Sequence, residues 1–299
     1  MTPAARRRLA PAKVNLFLHI GPVDADGYHP VASLMAFADV GDTLALEPGE
    51  RPGVELAIDG PFAPELADTP PERNLVVRAA ARLLQEAGRP ELGVRLRLTK
   101  ALPVAAGLGG GSSDAGAALR LVRDALSPEV GDDVLLRLAG EIGADGPACL
   151  RAEPVLGLGR GDDLHPAPGL PDLHAVLVNP RVACPTGAVY RAYDAGPAAA
   201  ADAPPLPPGL DDLSAVLELL HATRNDLEAP AAGLVPAVAE TLALVRGLPG
   251  CRFARLSGSG ATVWALADDA AAAGALKGAV RRARPGWWTA AGRLGGPWS

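Results

Sequence analysis

The stretch Leu102-Pro103-Val104-Ala105-Ala106-Gly107-Leu108-Gly109-Gly110-Gly111-Ser112-Ser113-Asp114 constrains the fold more than any other part of this chain. Before it, Val94-Arg95-Leu96-Arg97-Leu98 alternates apolar and charged residues at the period of a half-buried strand. After it, residues 115–122 read as a helix. A strand that enters a helix through four glycines and two serines leaves the first helical amides without partners. The helix dipole adds positive potential at the same place. Glycine takes φ > 0 without strain and lets backbone approach a ligand closely. These are the ingredients of a phosphate cradle. A hinge or tight turn is the plainer reading, but two glycines would serve it. Ser112 or Ser113 also suits a helix cap, typically contributing about 1 kcal/mol, and the two roles are compatible.

Known phosphate loops narrow the choice. A Walker A loop needs a Lys before its Ser/Thr, and none stands here. The dinucleotide fingerprint needs a third Gly where Ser112 stands. The glycine loop of protein kinases lies between strands and does not open a helix.

The rest of the chain sets the context. Its 299 residues, 48% of them hydrophobic, suffice for a sizeable core and two domains. A net charge of −6 argues against broad binding to nucleic acid or a membrane surface. No apolar stretch approaches the length of a membrane span. Arg6-Arg7-Arg8 precedes an apolar run that Lys13, Asn15 and His19 interrupt, unlike a signal peptide. Cys149, Cys184 and Cys251 are too far apart for metal-ligand spacing and suit a reducing compartment. The expectation is a cytoplasmic protein, with no oligomeric state indicated. Only Lys13, Lys100 and Lys277 are lysines among 28 basic residues, so a lysine marks a place where a compact ammonium serves.

From Val14 to Ile20 the chain alternates like a strand, with Lys13, Asn15, Phe17 and His19 on one face. Lys13 and Asn15 could address one ligand; an edge strand with a solubilising Lys is the alternative. Asp26-Gly27-Tyr28-His29 holds a turn signal, then an aromatic and an imidazole. Residues 41–46 and 54–58 read as strands. Asn74 stands at the start of an amphipathic helix through Leu84, as its cap or as a ligand contact. Residues 132–142 read as a helix ending at Gly143, and Gly143-Ala144-Asp145-Gly146-Pro147-Ala148 as a turn. Residues 175–179 form a strand stopped by Pro180, and Thr186 to Tyr190 opens a helix. Residues 195–210, rich in Ala, Pro, Gly and Asp, read as an exposed loop. Ser257-Gly258-Ser259-Gly260-Ala261 lies between two strands, as a simple hairpin or a second glycine loop. Residues 270–284 form a helix, and a last strand begins near Trp287.

The order Pro-x-x-x-Gly-Leu-Gly-Gly-Gly-Ser-Ser resembles the central motif of the GHMP small-molecule kinases. Pro11-Ala12-Lys13-Val14-Asn15-Leu16, Asp26-Gly27-Tyr28-His29, Gly143-Ala144-Asp145 and Ser257-Gly258-Ser259-Gly260 are similar to segments of the family's isoprenoid-pathway branch, in the same order. The resemblance implies an α+β fold of two domains, residues 1–155 and 156–299, with the active site in the cleft between them. It implies ATP and Mg²⁺ as cofactors and a cytidyl small molecule as substrate. In that reading Lys13 and Asp145 are catalytic. Residues Pro103, Val104, Ala105, Ala106, Gly107, Leu108, Gly109, Gly110, Gly111, Ser112 and Ser113 bind ATP, the amides from Gly107 to Ser113 holding its phosphates, with Asn74 and Lys100 near the base and Ser113 a candidate for Mg²⁺. Asn15, Tyr28, His29, Thr186 and Tyr190 bind the substrate. The chain departs from the family at Gly146, usually bulky and apolar, and at Ala148, usually aromatic or apolar. Homoserine, mevalonate or sugar kinases of the family, and a non-catalytic sensor on the same fold, are the competing readings.

Overall fold

A computed structural model describes residues 6–197 and 199–298 of the chain. Two long strands organise it. β1 (Arg6–Ile20) runs antiparallel to β2 (Val31–Pro48), from Arg6 opposite Leu46 to Ile20 opposite Val31. The sequence announces only part of each. Residues 31–40 form a nearly continuous apolar run, so alternation is missing where the strand is covered on both faces. Arg6-Arg7-Arg8 is the exposed start of β1.

After β3 (Gly53–Asp59) and α1 (Leu75–Glu86), β4 (Gly93–Thr99) pairs with residues 43–48 of β2 and, in parallel, with β3. Three helices follow: α2 (Gly110–Leu126), α3 (Asp132–Ile142) and the short α4 (Gly146–Arg151), where the sequence suggested only a turn. The hairpin β5 (Val155–Leu158) and β6 (Asp163–Pro166) pairs back to residues 33–35 of β2. Then come β7 (Leu173–Asn179), α5 (Thr186–Asp194), α6 (Leu213–Ala222), α7 (Glu228–Leu234) and α8 (Pro236–Gly247). The chain closes with β8 (Phe253–Leu256), β9 (Val263–Ala267), α9 (Ala270–Ala283) and β10 (Trp288–Gly295).

The strand order β3-β4-β2-β10-β7-β9-β8 makes one mixed sheet, with β1 and the β5–β6 hairpin attached through β2. β10 bridges the halves, pairing Leu294 with Ala38 of β2 and Trp288 through Leu294 with β7. One core packs α1, α2 and α3 on β2 and β4; another packs α5, α7, α8 and α9 on β7, β8 and β9. A third lies between them, with Leu16, Phe17, Leu219 and Trp264 fully or nearly fully buried. No single helix among the described residues is long and apolar enough to cross a membrane.

A bulge between Asn15 and Phe17 corrects the expected face of β1. It shifts the alternation by one residue, so Phe17 packs in the middle core beside Leu16 while Leu18 and Ile20 join the C-terminal core. Lys13 and Asn15 stay together on the side the glycine loop approaches. His19 lies deeper, with Nδ1 2.8 Å from the Asp202 carbonyl and Nε2 accepting from the Arg224 amide; burial holds its pKa below the usual value. In the expected loop 195–210, Ala198 lies outside the described residues; the rest holds no helix or strand, and Leu210 is buried in the core.

Candidate active site

The two glycine loops meet beside β1. The Lys13 amide donates to the Leu108 carbonyl at 2.8 Å, so the first loop lies along the strand. The second loop, 257–260, touches both: Ser257 Oγ donates to the Gly107 carbonyl at 2.8 Å and accepts from the Asn15 amide at 3.4 Å, and just beyond the loop the Thr262 amide donates to the Ala106 carbonyl at 3.2 Å. Gly107 has φ +76°, and a Cβ there would stand 2.4 Å from the Ser257 carbonyl oxygen. Only glycine permits that contact. Gly109, at φ +61°, turns the chain into α2 and occupies its N-cap.

Lys13 and Asp145 come together across 132 residues of sequence. Lys13 Nζ lies 3.0 Å from Asp145 Oδ2 and 3.2 Å from Oδ1. The lysine side chain is 6% exposed, the carboxylate 42%. Asp145 sits at the N-cap of α4, yet its side chain makes no capping bond, which leaves it free for the ammonium. A second acceptor, Asn15 Oδ1, lies 3.2 Å from Lys13 Nζ. Asn15 is itself fixed: its Nδ2 donates to Ser33 Oγ at 2.8 Å, and Ser33 Oγ to the Phe17 carbonyl at 2.7 Å. Nothing in the sequence marked Ser33, which lies in the apolar half of β2.

Two cavities share this junction. The inner one, about 420 Å³, is lined by Lys13, Asn15, Asp145, Thr186, Tyr190 and Ser259 among others. The outer one, about 350 Å³, is lined by Asn74, Lys100, residues 103–107 and residues 109–112. Gly107, Gly109 and Ser112 line both. Of the expected phosphate residues, Leu108 turns its side chain into the core, and Ser113 is 1% exposed and lines neither cavity. The hydroxyl facing the cleft is therefore Ser112, one residue earlier on the first turn of α2, and not Ser113 as expected.

Lys100 is less free than its place near a ligand suggested. Its ammonium is buried between Asp42 and Asp114, 2.9 Å from Asp114 Oδ2. Asp42 Oδ1 accepts from the Ala101 and Leu102 amides at 2.6 and 2.8 Å, fixing the exit of β4 into the loop. Burial and the neighbouring Asp42 push the Asp114 carboxyl up to about 8, against the pull of Lys100. Asp114 follows the two serines directly; its carboxylate pairs with Lys100 under the loop, at the border of the outer cavity. Asn74 accepts from the Val76 amide at 3.0 Å, capping α1, and its residue also borders the outer cavity.

The expected cytidyl contacts divide. Tyr190 lines the inner cavity, its hydroxyl pushed up to about 12 by burial and the charge of Asp145. Thr186 joins the second glycine loop, its Oγ1 2.9 Å from Ser259 Oγ. His29 and Tyr28 lie outside that lining. His29 packs against Tyr190 with ring centroids 5.2 Å apart; its Nδ1 is 2.8 Å from the Gly21 carbonyl and its Nε2 3.2 Å from Asp194. Tyr28 is 54% exposed, with the Arg160 guanidinium 3.9 Å from its ring centre. Arg160 lines the inner cavity and was not anticipated.

The departure at Gly146 has a steric reason. A Cβ there would stand 1.9 Å from the Ala139 carbonyl oxygen, because the last turn of α3 packs directly on α4. Ala148 is fully buried in a cluster with Met35, Phe37 and Cys149. The two helices close on each other where larger residues would separate them. Gly146→Leu is expected to destabilise the protein by about 1–3 kcal/mol, read as a lowered thermal midpoint.

An ammonium–carboxylate pair thus stands beside paired glycine loops, with one cavity on each side of the loop, in a chain that is an ATP-dependent kinase of small molecules. The chain belongs to the GHMP kinase family: residues 74–153 match the GHMP kinases N terminal domain and residues 208–285 the GHMP kinases C terminal. It is 53% identical over 292 residues to 4-diphosphocytidyl-2-C-methyl-D-erythritol kinase of Caulobacter sp. (strain K31), covering 96% of this chain and 98% of that protein. Identity to the kinase of that name from Rhizorhabdus wittichii is 47%, over 96% and 94% of the two chains. A crystal structure of 4-(cytidine 5'-diphospho)-2C-methyl-D-erythritol kinase superposes with a TM-score of 0.77 at 36% identity, covering 98% of this chain and all of that one. Homoserine kinase from Cytophaga hutchinsonii, at 20% identity and a TM-score of 0.70, shares the fold.

Proposed function

We propose that the protein transfers the γ-phosphoryl of ATP to the 2-hydroxyl of 4-diphosphocytidyl-2-C-methyl-D-erythritol, in the cytoplasm, as a step of isoprenoid precursor biosynthesis. The observation that carries this reading is the position of the Lys13–Asp145 pair in the inner cavity, where Gly107, Gly109 and Ser112 join it to the outer one. ATP enters the outer cavity with its phosphates over the loop, whose amides take up charge spreading onto the transferred oxygens. Asp145 orients the acceptor hydroxyl and accepts its proton. Lys13 holds the Asp145 carboxylate in place and steadies the developing negative charge. Asn15, held by Ser33, fixes the ammonium. Residues 1–155, with the first glycine loop, Lys13 and Asp145, and residues 156–299, with the second, act as the two domains of this cleft.

The donor set fits Mg²⁺ only as an ion held mainly by phosphates. Among the described residues no three His, Cys, Asp or Glu side chains gather as a metal cage, and Ser112 supplies a hydroxyl where the cavities meet. Bound there, Mg²⁺ would neutralise phosphate charge and orient the γ-phosphoryl.

Tyr190 and the outer face of Tyr28 hold the cytosine, far from the reacting oxygen, and so place the hydroxyl. Base–aromatic stacking is typically worth about 1–3 kcal/mol, so Tyr28→Ala is expected to raise the acceptor KM roughly tenfold with little change in kcat. An unchanged KM would remove Tyr28 from the cytosine site. The reading as a whole is tested by ADP release with the cytidyl acceptor against homoserine, mevalonate and galactose. Release that depends on the cytidyl acceptor supports it; turnover of another acceptor, or ATP binding without turnover on any, overturns it.

A further inference from the structure

A third cavity, of about 510 Å³, shares no lining residue with either half of the cleft. Four arginines line it, Arg224, Arg246, Arg252 and Arg255, against the one carboxylate of Glu228. In a chain of net charge −6 this is a local reversal of sign. Arg255 is the centre of it. It is 6% exposed, and burial pushes its guanidinium down to about 10. Its Nη1 donates to the Leu16 carbonyl at 2.7 Å, and its Nη2 to the Leu220 and Thr223 carbonyls at 2.7 and 2.6 Å. These bonds tie β1 to the end of α6. They satisfy its protons without neutralising its charge: no carboxylate lies within ion-pair distance of it among the described residues.

The one carboxylate that attracts Arg255, Glu228, lies beyond ion-pair distance and is already paired with Arg246, so the buried cation is costly and an anion in the cavity would offset that cost. The other three arginines have partners, Asp226 for Arg224, Glu228 for Arg246 and Asp268 for Arg252. Asp226 and Asp268 stand outside the lining. All three guanidinium groups are nearly half exposed, where such pairs contribute little and can turn toward a ligand. The floor is partly apolar: His221 meets the Phe253 ring edge-on at 5.3 Å, and the Arg255 guanidinium lies 4.8 Å from that ring's centre. Guanidinium forks match phosphate oxygens, and the volume is that of a small-molecule site. We propose that this cavity is a second oxyanion site, separate from the active site, that takes a phosphate group.

The group is the same whether it arrives as inorganic phosphate or as the head of an organic ester, and two probes separate these. Titration calorimetry is run on the intact protein at low ionic strength, with the first glycine loop filled by a saturating non-hydrolysable ATP analogue. Inorganic phosphate and phenyl phosphate are the ligands. One additional site is expected for at least one of them; tighter binding of phenyl phosphate assigns the cavity to an ester, equal binding to free phosphate. Arg252→Gln, and separately Arg224→Gln, should each weaken that binding about tenfold. Both change exposed side chains, so circular dichroism should match the parent. Absence of binding by both probes, or equal binding by parent and both folded variants, would overturn the proposal.

Discussion

Turnover by an Asp145→Asn variant is expected to fall by roughly 10²-fold or more, with KM for ATP little altered. The substitution keeps size and shape. An amide oxygen at 145 still accepts from Lys13 Nζ, which now stands 3.0 Å from the carboxylate, so the ammonium keeps its place beside Asn15. What is removed is the negative charge and the ability to take a proton from the acceptor hydroxyl. The glycine loop reaches its nucleotide cavity through residues 103–107 and 109–112 and not through Asp145, which is why ATP affinity should survive. Steady-state rates with each substrate varied in turn separate the two effects. Turnover near that of the parent would take Asp145 out of the chemistry altogether.

The second large effect concerns stability. Lys100→Met should cost about 3–5 kcal/mol at neutral pH, the usual penalty for removing one partner of a buried ionic cluster. Asp42 and Asp114 are 0% and 3% exposed, and without Lys100 no other side chain among the described residues makes an ion pair with them. The pH dependence follows from the sign of the shifts. Burial and the charge of Asp42 raise the Asp114 carboxyl, and the variant lacks the opposing pull of Lys100, so its unfolded state binds fewer protons than the folded one above the ordinary carboxylate range. Stability of the variant therefore drops as pH rises, and its deficit should be smaller at pH 5 than at pH 8. Chemical denaturation at the two pH values checks this. A constant deficit would mean that the lost methylene packing, not the charge, mattered.

Much of this fold could be read from residue order because local signals and tertiary context agreed. Asn74 opens α1 and Gly143 ends α3 where capping chemistry puts them. The glycine loop runs from strand to helix as its composition requires. What escaped was set by contacts distant in sequence. The first half of β2 has no alternation because both its faces are packed, Leu34 and Ala36 in the middle core and Met35 and Phe37 against Ala148 and Cys149, and the bulge after Asn15 is invisible without its partner strand. Ser112 and Ser113 are chemically alike, and only the turn of α2 decides which of them faces the cleft. The lysine scarcity singled out Lys100, while the carboxylates holding it lie 58 and 14 residues away. Arg255 looked like any other arginine in a chain rich in them.

The position of β10 has a consequence for how this protein is made. The strand that joins the sheet's two halves emerges from the ribosome after the other described strands, so the sheet cannot be completed before it. Until then the edges of β2 and β7 are open to pairing with other chains. Nascent protein should thus depend on a chaperone to a degree that a smaller fold of neighbouring strands would not.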